Sequence, residues 1–91
     1  MYIFSPEKNL KLINERNISF EEIIAAIENG LIIDILEHPN QKKYGSQKIY
    51  VIDIKEYIYL VPFVIDSEDN IFLKTIIPSR KAKKKYMKRS S

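Results

Sequence analysis

The chain predicts an α+β fold: two N-terminal helices, a four-stranded antiparallel sheet and a C-terminal basic helix. Three observations carry this. Apolar residues recur at helical spacing before Gly30 and at strand spacing after it. Two cap signatures, Ser5-Pro6 and Ser19 with Glu22, open the helical runs. The strand-like runs are joined by short polar links, so neighbours in sequence pair antiparallel. The helices are expected to pack on one face of the sheet.

Ser5 is an N-cap and Pro6 suits the first helical position, where its missing N–H costs nothing. The run Pro6 to Glu15 then puts Leu10, Leu12 and Ile13 toward a core. Ser19 and Glu22 form a capping box, and Phe20, Ile23, Ile24 and Ile27 follow at helical spacing. Asn29-Gly30 ends that helix. Leu31 to Glu37 reads as the first strand, with Asp34 as the acid at its centre. His38 to Gln47 is a polar loop marked by Pro39, Asn40 and Gly45. Lys48 to Ile54 alternates as a second strand, and Lys55-Glu56 is a tight turn. Tyr57 to Ile65 is apolar on both faces and therefore central. Pro62 within it cannot donate to a ladder, so a bulge is expected there. Asp66 to Asn70 is a hairpin turn, and Ile71 to Ile77 is the fourth strand. Pro78-Ser79 breaks it, and Ser79 caps a last helix from Arg80 to Arg89.

Residues 1–91 make one domain, with 79–91 as its basic helix or tail. Hydrophobic content of 45% is enough for one modest core and too high for a disordered chain. The absence of cysteine excludes disulfides and thiolate metal sites, and fits a reducing cytoplasm. No signal peptide or membrane-spanning run is expected. Charge is uneven. Seven of the fifteen basic residues lie between Ser79 and Ser91, with no acid among them. The whole chain carries +3, so once that +7 is set aside the first 78 residues carry −4. A slightly acidic body with a cationic end calls for a polyanionic partner, nucleic acid or an acidic protein.

One histidine and no cysteine leave no transition-metal cluster, and Asp66, Glu68 and Asp69 lack calcium-loop spacing. Two glycines cannot build a phosphate-cradling loop. An enzyme built from this chain would work with neither metal nor cofactor. RNA cleavage fits that limit, because the 2′-OH beside the scissile phosphate is the nucleophile. The protein need only move protons and stabilise charge. His38, Lys43, Lys48 and Arg80 are the catalytic candidates. Arg16, Lys42, Tyr44, Lys81, Lys83, Lys84, Lys85 and Lys88 are the candidates for binding nucleic acid. Tyr57 and Tyr59 share a strand face by alternation, which allows a stacking platform. Arg80 and Lys81 stand at the anchored start of the last helix and suit a phosphate site. Lys83 to Arg89 suit RNA tracking or contact with a protein partner.

Three segments together resemble the BrnT family of type II toxins. These are a Pro-x-Lys-Asn helix start (Pro6, Lys8, Asn9), Ile18-Ser-Phe-Glu-Glu22, and Ile76-Ile-Pro-Ser-Arg-Lys-Ala82. The family's corresponding segments are Lys-His-Gly-Val/Ile-Ser-Phe-Glu-Glu and Ile-Ile-Ser-Ala-Arg-Arg-Ala. The likeness runs from about Ser5 to Tyr86 in the same order. It implies a fold related to the RelE/ParE ribonuclease toxins, metal-free RNA cleavage, and neutralisation by a cognate antitoxin. Ser19, Phe20, Glu21, Glu22, Arg80 and Ala82 match. The family's His-Gly is Arg16-Asn17 here, so a histidine role at that turn does not carry over, and Pro78-Ser79 replaces Ser-Ala. The Glu37-His-Pro-Asn loop and Gln47-Lys48 correspond loosely to an acidic-His-Pro and a Glu-Arg region. Three functions stand at this point. They are a ribonuclease toxin, a non-catalytic nucleic-acid-binding module, and an adaptor for an acidic protein.

Overall fold

A computed structural model describes residues 1–87 of the chain. The elements are β1 (Tyr2–Ile3), α1 (Pro6–Arg16), α2 (Phe20–Glu28), β2 (Ile32–Glu37), α3 (Gln41–Tyr44), β3 (Lys48–Ile54), β4 (Tyr57–Ile65), β5 (Ile71–Leu73), β6 (Ile77–Pro78) and α4 (Arg80–Met87).

The helices start where their caps direct. Ser5 Oγ accepts the Lys8 N–H at 3.2 Å. Ser19 and Glu22 satisfy each other's backbone N–H groups, at 3.1 and 3.2 Å. Helix α1 ends on Asn17 at φ 55°, the left-handed cap that Gly or Asn takes most readily. Helix α2 ends on Asn29, with Gly30 at φ +76° turning the chain into β2. On α1 the buried apolar residue is Leu12, while Leu10 and Ile13 face outward at 63% and 40% exposure. The shared face expected for the three does not exist, because α1 meets the core through Leu12 and a polar residue, Asn9.

Asn9 is buried and fully used. Its Oδ1 accepts the Phe20 N–H at 2.7 Å, and its Nδ2 donates to Glu21 at 2.7 Å. It therefore closes the α1–α2 corner by serving one of the unpaired amides at the start of α2. Asn9→Ala strands that buried amide, and the expected loss is about 1–3 kcal/mol, read from urea unfolding. A loss below about 0.5 kcal/mol, the scale of an ordinary surface change, contradicts the clamp.

The sheet is mixed and six-stranded, in place of the expected four-stranded antiparallel sheet. Its order is β1-β5-β4-β3-β2, with β6 also pairing β4. The addition is β1, which runs parallel to β5 with Tyr2 opposite Ile71. The expected last strand is broken into β5 and β6, and Pro62 explains the break. Ile49 pairs with Pro62 in an unbroken β3–β4 register, so β4 itself carries no bulge. The Pro62 carbonyl instead points to the other side, where it accepts the Lys74 N–H at 2.8 Å. The missing N–H of Pro62 falls on that side too, and there the neighbouring strand loses its ladder between Leu73 and Ile77.

Strands β3 and β4 are apolar on both faces, so a single helical layer cannot cover them. Helices α1 and α2 bury Leu12, Ile18, Phe20, Ile23 and Ala26 against Tyr50, Ile52, Val61, Phe63 and Leu73. Tyr50 stacks on Phe63 with ring centroids 3.9 Å apart. Helix α4 covers the opposite face, where Ala82 meets Val51 and Ile58, flanked by Leu36, Leu60 and Tyr86. Helices on both faces replace the one-sided arrangement that the sequence suggested.

Strand β2 carries its own irregularity. Ile32 pairs with Ile52 and Asp34 with Val51, so Ile33 is an extra residue. The bulge flips the side-chain parity. Ile32 packs into the α1–α2 core, whereas Asp34 and Leu36 face α4.

Candidate nucleic-acid interface

Helix α4 is set by three bonds to Ser79. The Ser79 N–H donates to the Ile58 carbonyl at 2.9 Å, which ties the helix start to β4. Ser79 Oγ accepts the Ala82 N–H at 3.0 Å, and its carbonyl accepts the Lys83 N–H at 3.1 Å. The far end is tied as well. The Tyr86 hydroxyl donates to Asp34 Oδ2 at 2.6 Å, a contact that only the β2 bulge allows.

With both ends fixed, helical spacing sorts the basic residues into two stripes. Arg80, Lys83, Lys84 and Met87 stand at i, i+3, i+4 and i+7 and share one side. They line a groove with Tyr57, Ile58, Pro78 and Ser79. Lys81, Ala82, Lys85 and Tyr86 stand on the other side, against Leu36 and Leu60. The expected division of the run at Lys81/Lys83 is therefore replaced by a division across the helix. Among the described residues, Arg80 and Lys84 have no ion pair that would neutralise them. The groove volume of about 1130 Å³ exceeds the ~300–1,000 Å³ usual for a small-molecule pocket. An open cleft of that size suits a chain-like anion.

Among the described residues Tyr57 is the groove's aromatic residue, and the residue is 62% exposed. The Lys83 Nζ lies 5.5 Å from the ring centroid. Lys55 and Glu56 precede it at φ 52° and 70°, the two-residue hairpin turn that holds the start of β4. Tyr59 is not its partner: it packs against the α1–α2 core, and burial raises its hydroxyl pKa. The Tyr57–Tyr59 platform expected from strand alternation is absent. The sequence offers Tyr57 only as half of a Tyr57–Tyr59 platform, because alternation groups the two. The usable signal is its position at the open end of the strand that anchors Ser79.

The other candidates lie elsewhere. His38 and Tyr44 pair at the α3 turn with ring centroids 4.3 Å apart. His38 Nδ1 accepts the Asn40 N–H at 3.1 Å, which leaves Nε2 to carry the ring proton. Lys43 Nζ stands 5.2 Å from the Tyr44 ring centroid, and Lys42 is exposed beside it. Lys48 opens β3 opposite Glu37 and Phe63, on the α1–α2 face. Arg80 follows Pro78, which pairs with Tyr59, four residues along β4 from Phe63. At ~3.3 Å per residue, about 13 Å of strand and the sheet itself separate Lys48 from Arg80. The four catalytic candidates thus do not converge. Arg16 donates to the Ile76 carbonyl at 2.5 Å and ties α1 to the sheet edge. Lys88 lies outside the described residues. Among the described residues no three His, Cys, Asp or Glu side chains gather to hold a metal ion. Among the described residues no helix is long and apolar enough to cross a membrane.

Asp34 is a residue whose role sequence reasoning missed. The Tyr86 hydroxyl, then the Ile35 N–H and nearby Lys85, hold its carboxyl below the usual range. The same bond raises the Tyr86 hydroxyl. The sign follows: a carboxyl whose pKa is lowered by folding stabilises the fold above its unfolded pKa. That stability is lost as pH falls through the folded value. Tyr86→Phe should move the Asp34 titration up toward its reference value of 3.8, measured by carboxyl carbon NMR. An unmoved titration contradicts the contact.

Comparison with protein-family models, with curated proteins and with solved structures finds no match for this chain.

Proposed function

We propose that this chain is the toxin of a type II toxin–antitoxin system, a metal-independent endoribonuclease that acts in the cytoplasm and is neutralised by a cognate antitoxin. The α4 groove is its RNA-binding surface. The observation that carries this reading is the alignment of Arg80, Lys83 and Lys84 along one groove beside the exposed Tyr57 ring. Three cations in line suit successive backbone phosphates, and an aromatic wall suits a base. The likeness of Ile18 to Glu22 and Ile76 to Ala82 to the BrnT segments supplies the reaction class. In that reaction the RNA 2′-OH attacks the adjacent phosphate and the 5′-oxygen leaves. Arg80 in the groove is the candidate that stabilises the added charge, and His38, which stands outside the groove lining at the α3 turn, serves as proton-transfer candidate in this reading only where bound RNA reaches that turn.

A second reading is a non-catalytic nucleic-acid-binding module. It is favoured by the separation of His38, Lys43 and Lys48 from the groove. One experiment divides the two. Purified, folded protein is incubated with RNA in EDTA. The toxin reading expects fragments, with cleavage by His38→Ala strongly reduced near neutral pH. Intact RNA, bound in a salt-dependent manner, selects the second reading.

A further inference from the structure

We infer that the α4 groove recognises an unpaired nucleotide strand by stacking one base on Tyr57, and that it does not distinguish RNA from DNA. This rests on the reading of the groove as a nucleic-acid site and says what that site selects. The walls supply two kinds of contact. Arg80, Lys83 and Lys84 attract phosphates, and Tyr57, Ile58, Pro78 and Met87 form an apolar floor. Among the described lining residues Tyr57 is the one aromatic, and it is more than half exposed. A ring exposed to that extent beside cations offers a π-face to any base. A base inside a duplex cannot reach it, because both of its faces are already stacked on neighbours.

The lining also lacks what reading would need. Among the described residues, no Asn, Gln, Asp or Glu side chain lines the groove. Those side chains read adenine and cytosine edges; Arg and Lys can read guanine, and here Arg80, Lys83 and Lys84 are assigned to phosphates. Ser79 Oγ accepts the Ala82 N–H and keeps its O–H as a donor, a single group that does not distinguish the bases by itself. Among the described lining residues no Asn, Gln, Asp or Glu is placed to single out a 2′-OH. Selection between RNA and DNA, in a ribonuclease of this design, then lies in the reaction, since only RNA brings the nucleophile. An acidic protein is the competing polyanion, and competition by polyglutamate tests for it.

The test is fluorescence anisotropy at fixed salt. Four labelled 12-mers are used: single-stranded RNA, single-stranded DNA of the same sequence, the RNA duplex, and an abasic DNA strand. His38→Ala protein is used throughout so that cleavage does not interfere. The expected result is RNA and DNA single strands bound within about threefold of each other. The duplex and abasic strand should bind about tenfold more weakly, the scale of one lost stack. Tyr57→Ala should remove the preference for the single strand over the abasic strand, while Tyr57→Phe retains it. Equal binding of the abasic and base-bearing strands, or Tyr57→Ala without effect, overturns the stacking inference and leaves an RNA-binding groove standing. A large preference for RNA over DNA overturns the claim of indifference. Displacement by polyglutamate at equal charge concentration as readily as by RNA makes the groove a general acid-binding face, and the inference falls. No binding to any of the four strands removes the nucleic-acid reading and this inference together.

Discussion

Replacing Arg80, Lys83 and Lys84 together by Ala is expected to weaken binding of single-stranded RNA by about 100-fold at 0.1 M salt. The estimate follows from counterion release. Each phosphate neutralised on a single strand contributes ~0.7 to the slope of log affinity against log salt. Three contacts removed should flatten the slope by about 2. Folding should not suffer, because all three side chains are exposed and Ala is the best helix former. Lys81→Ala with Lys85→Ala is the internal control. Those residues lie on the other side of α4, so their removal should change the slope less. Equal effects from the two sets contradict the division of the basic run across the helix.

The second large effect is on the fold. Phe20→Ala is expected to cost about 3–5 kcal/mol. Phe20 is 0% exposed and stacks on Phe4 with centroids 5.0 Å apart. It is the first residue of α2 and packs in the core that joins both N-terminal helices to the sheet. Small domains hold about 5–15 kcal/mol in all, so the variant should lie near the edge of folding. Urea unfolding followed by circular dichroism reads this directly. A loss of about 1 kcal/mol or less would mean that the corner collapses around the cavity and that Phe20 is not its centre.

These two cases show what was legible in the chain. Helix α2 was, down to its last residue, because Ser19, Glu22, Asn29 and Gly30 act on backbone groups only a few residues away. Strands β3 and β4 were, because alternation and the Lys55-Glu56 turn are local. The parallel β1 was not: two residues carry no periodicity, and their partner Ile71 is remote in sequence. The split into β5 and β6 was not read: the sequence suggested one strand from Ile71 to Ile77 and a bulge in β4. Pro62 announces a missing donor, but which neighbouring strand meets it depends on register. The placement of α4 on the second face follows from β3 and β4 being apolar on both sides, a fact visible in the sequence but not its consequence.

The candidate interface divides in the same way. The cationic run was plain, and its sorting into Arg80/Lys83/Lys84 against Lys81/Lys85 needs only helical spacing once Ser79 is accepted as the cap. The parting of Tyr57 from Tyr59 and the role of Asp34 were hidden. Tyr57 departs from its strand alternation at the open end of β4, and Asp34 reaches Tyr86 only because the bulge at Ile33 reverses parity.

The central claim is that nucleic acid lies in the groove between the start of β4 and α4. Amide chemical-shift mapping of the folded protein, titrated with a short single-stranded RNA, tests it most directly. The account predicts the largest shifts at Tyr57, Ile58 and Ser79 to Met87. Shifts confined to the His38–Tyr44 turn or to α1, with α4 unmoved, would contradict it.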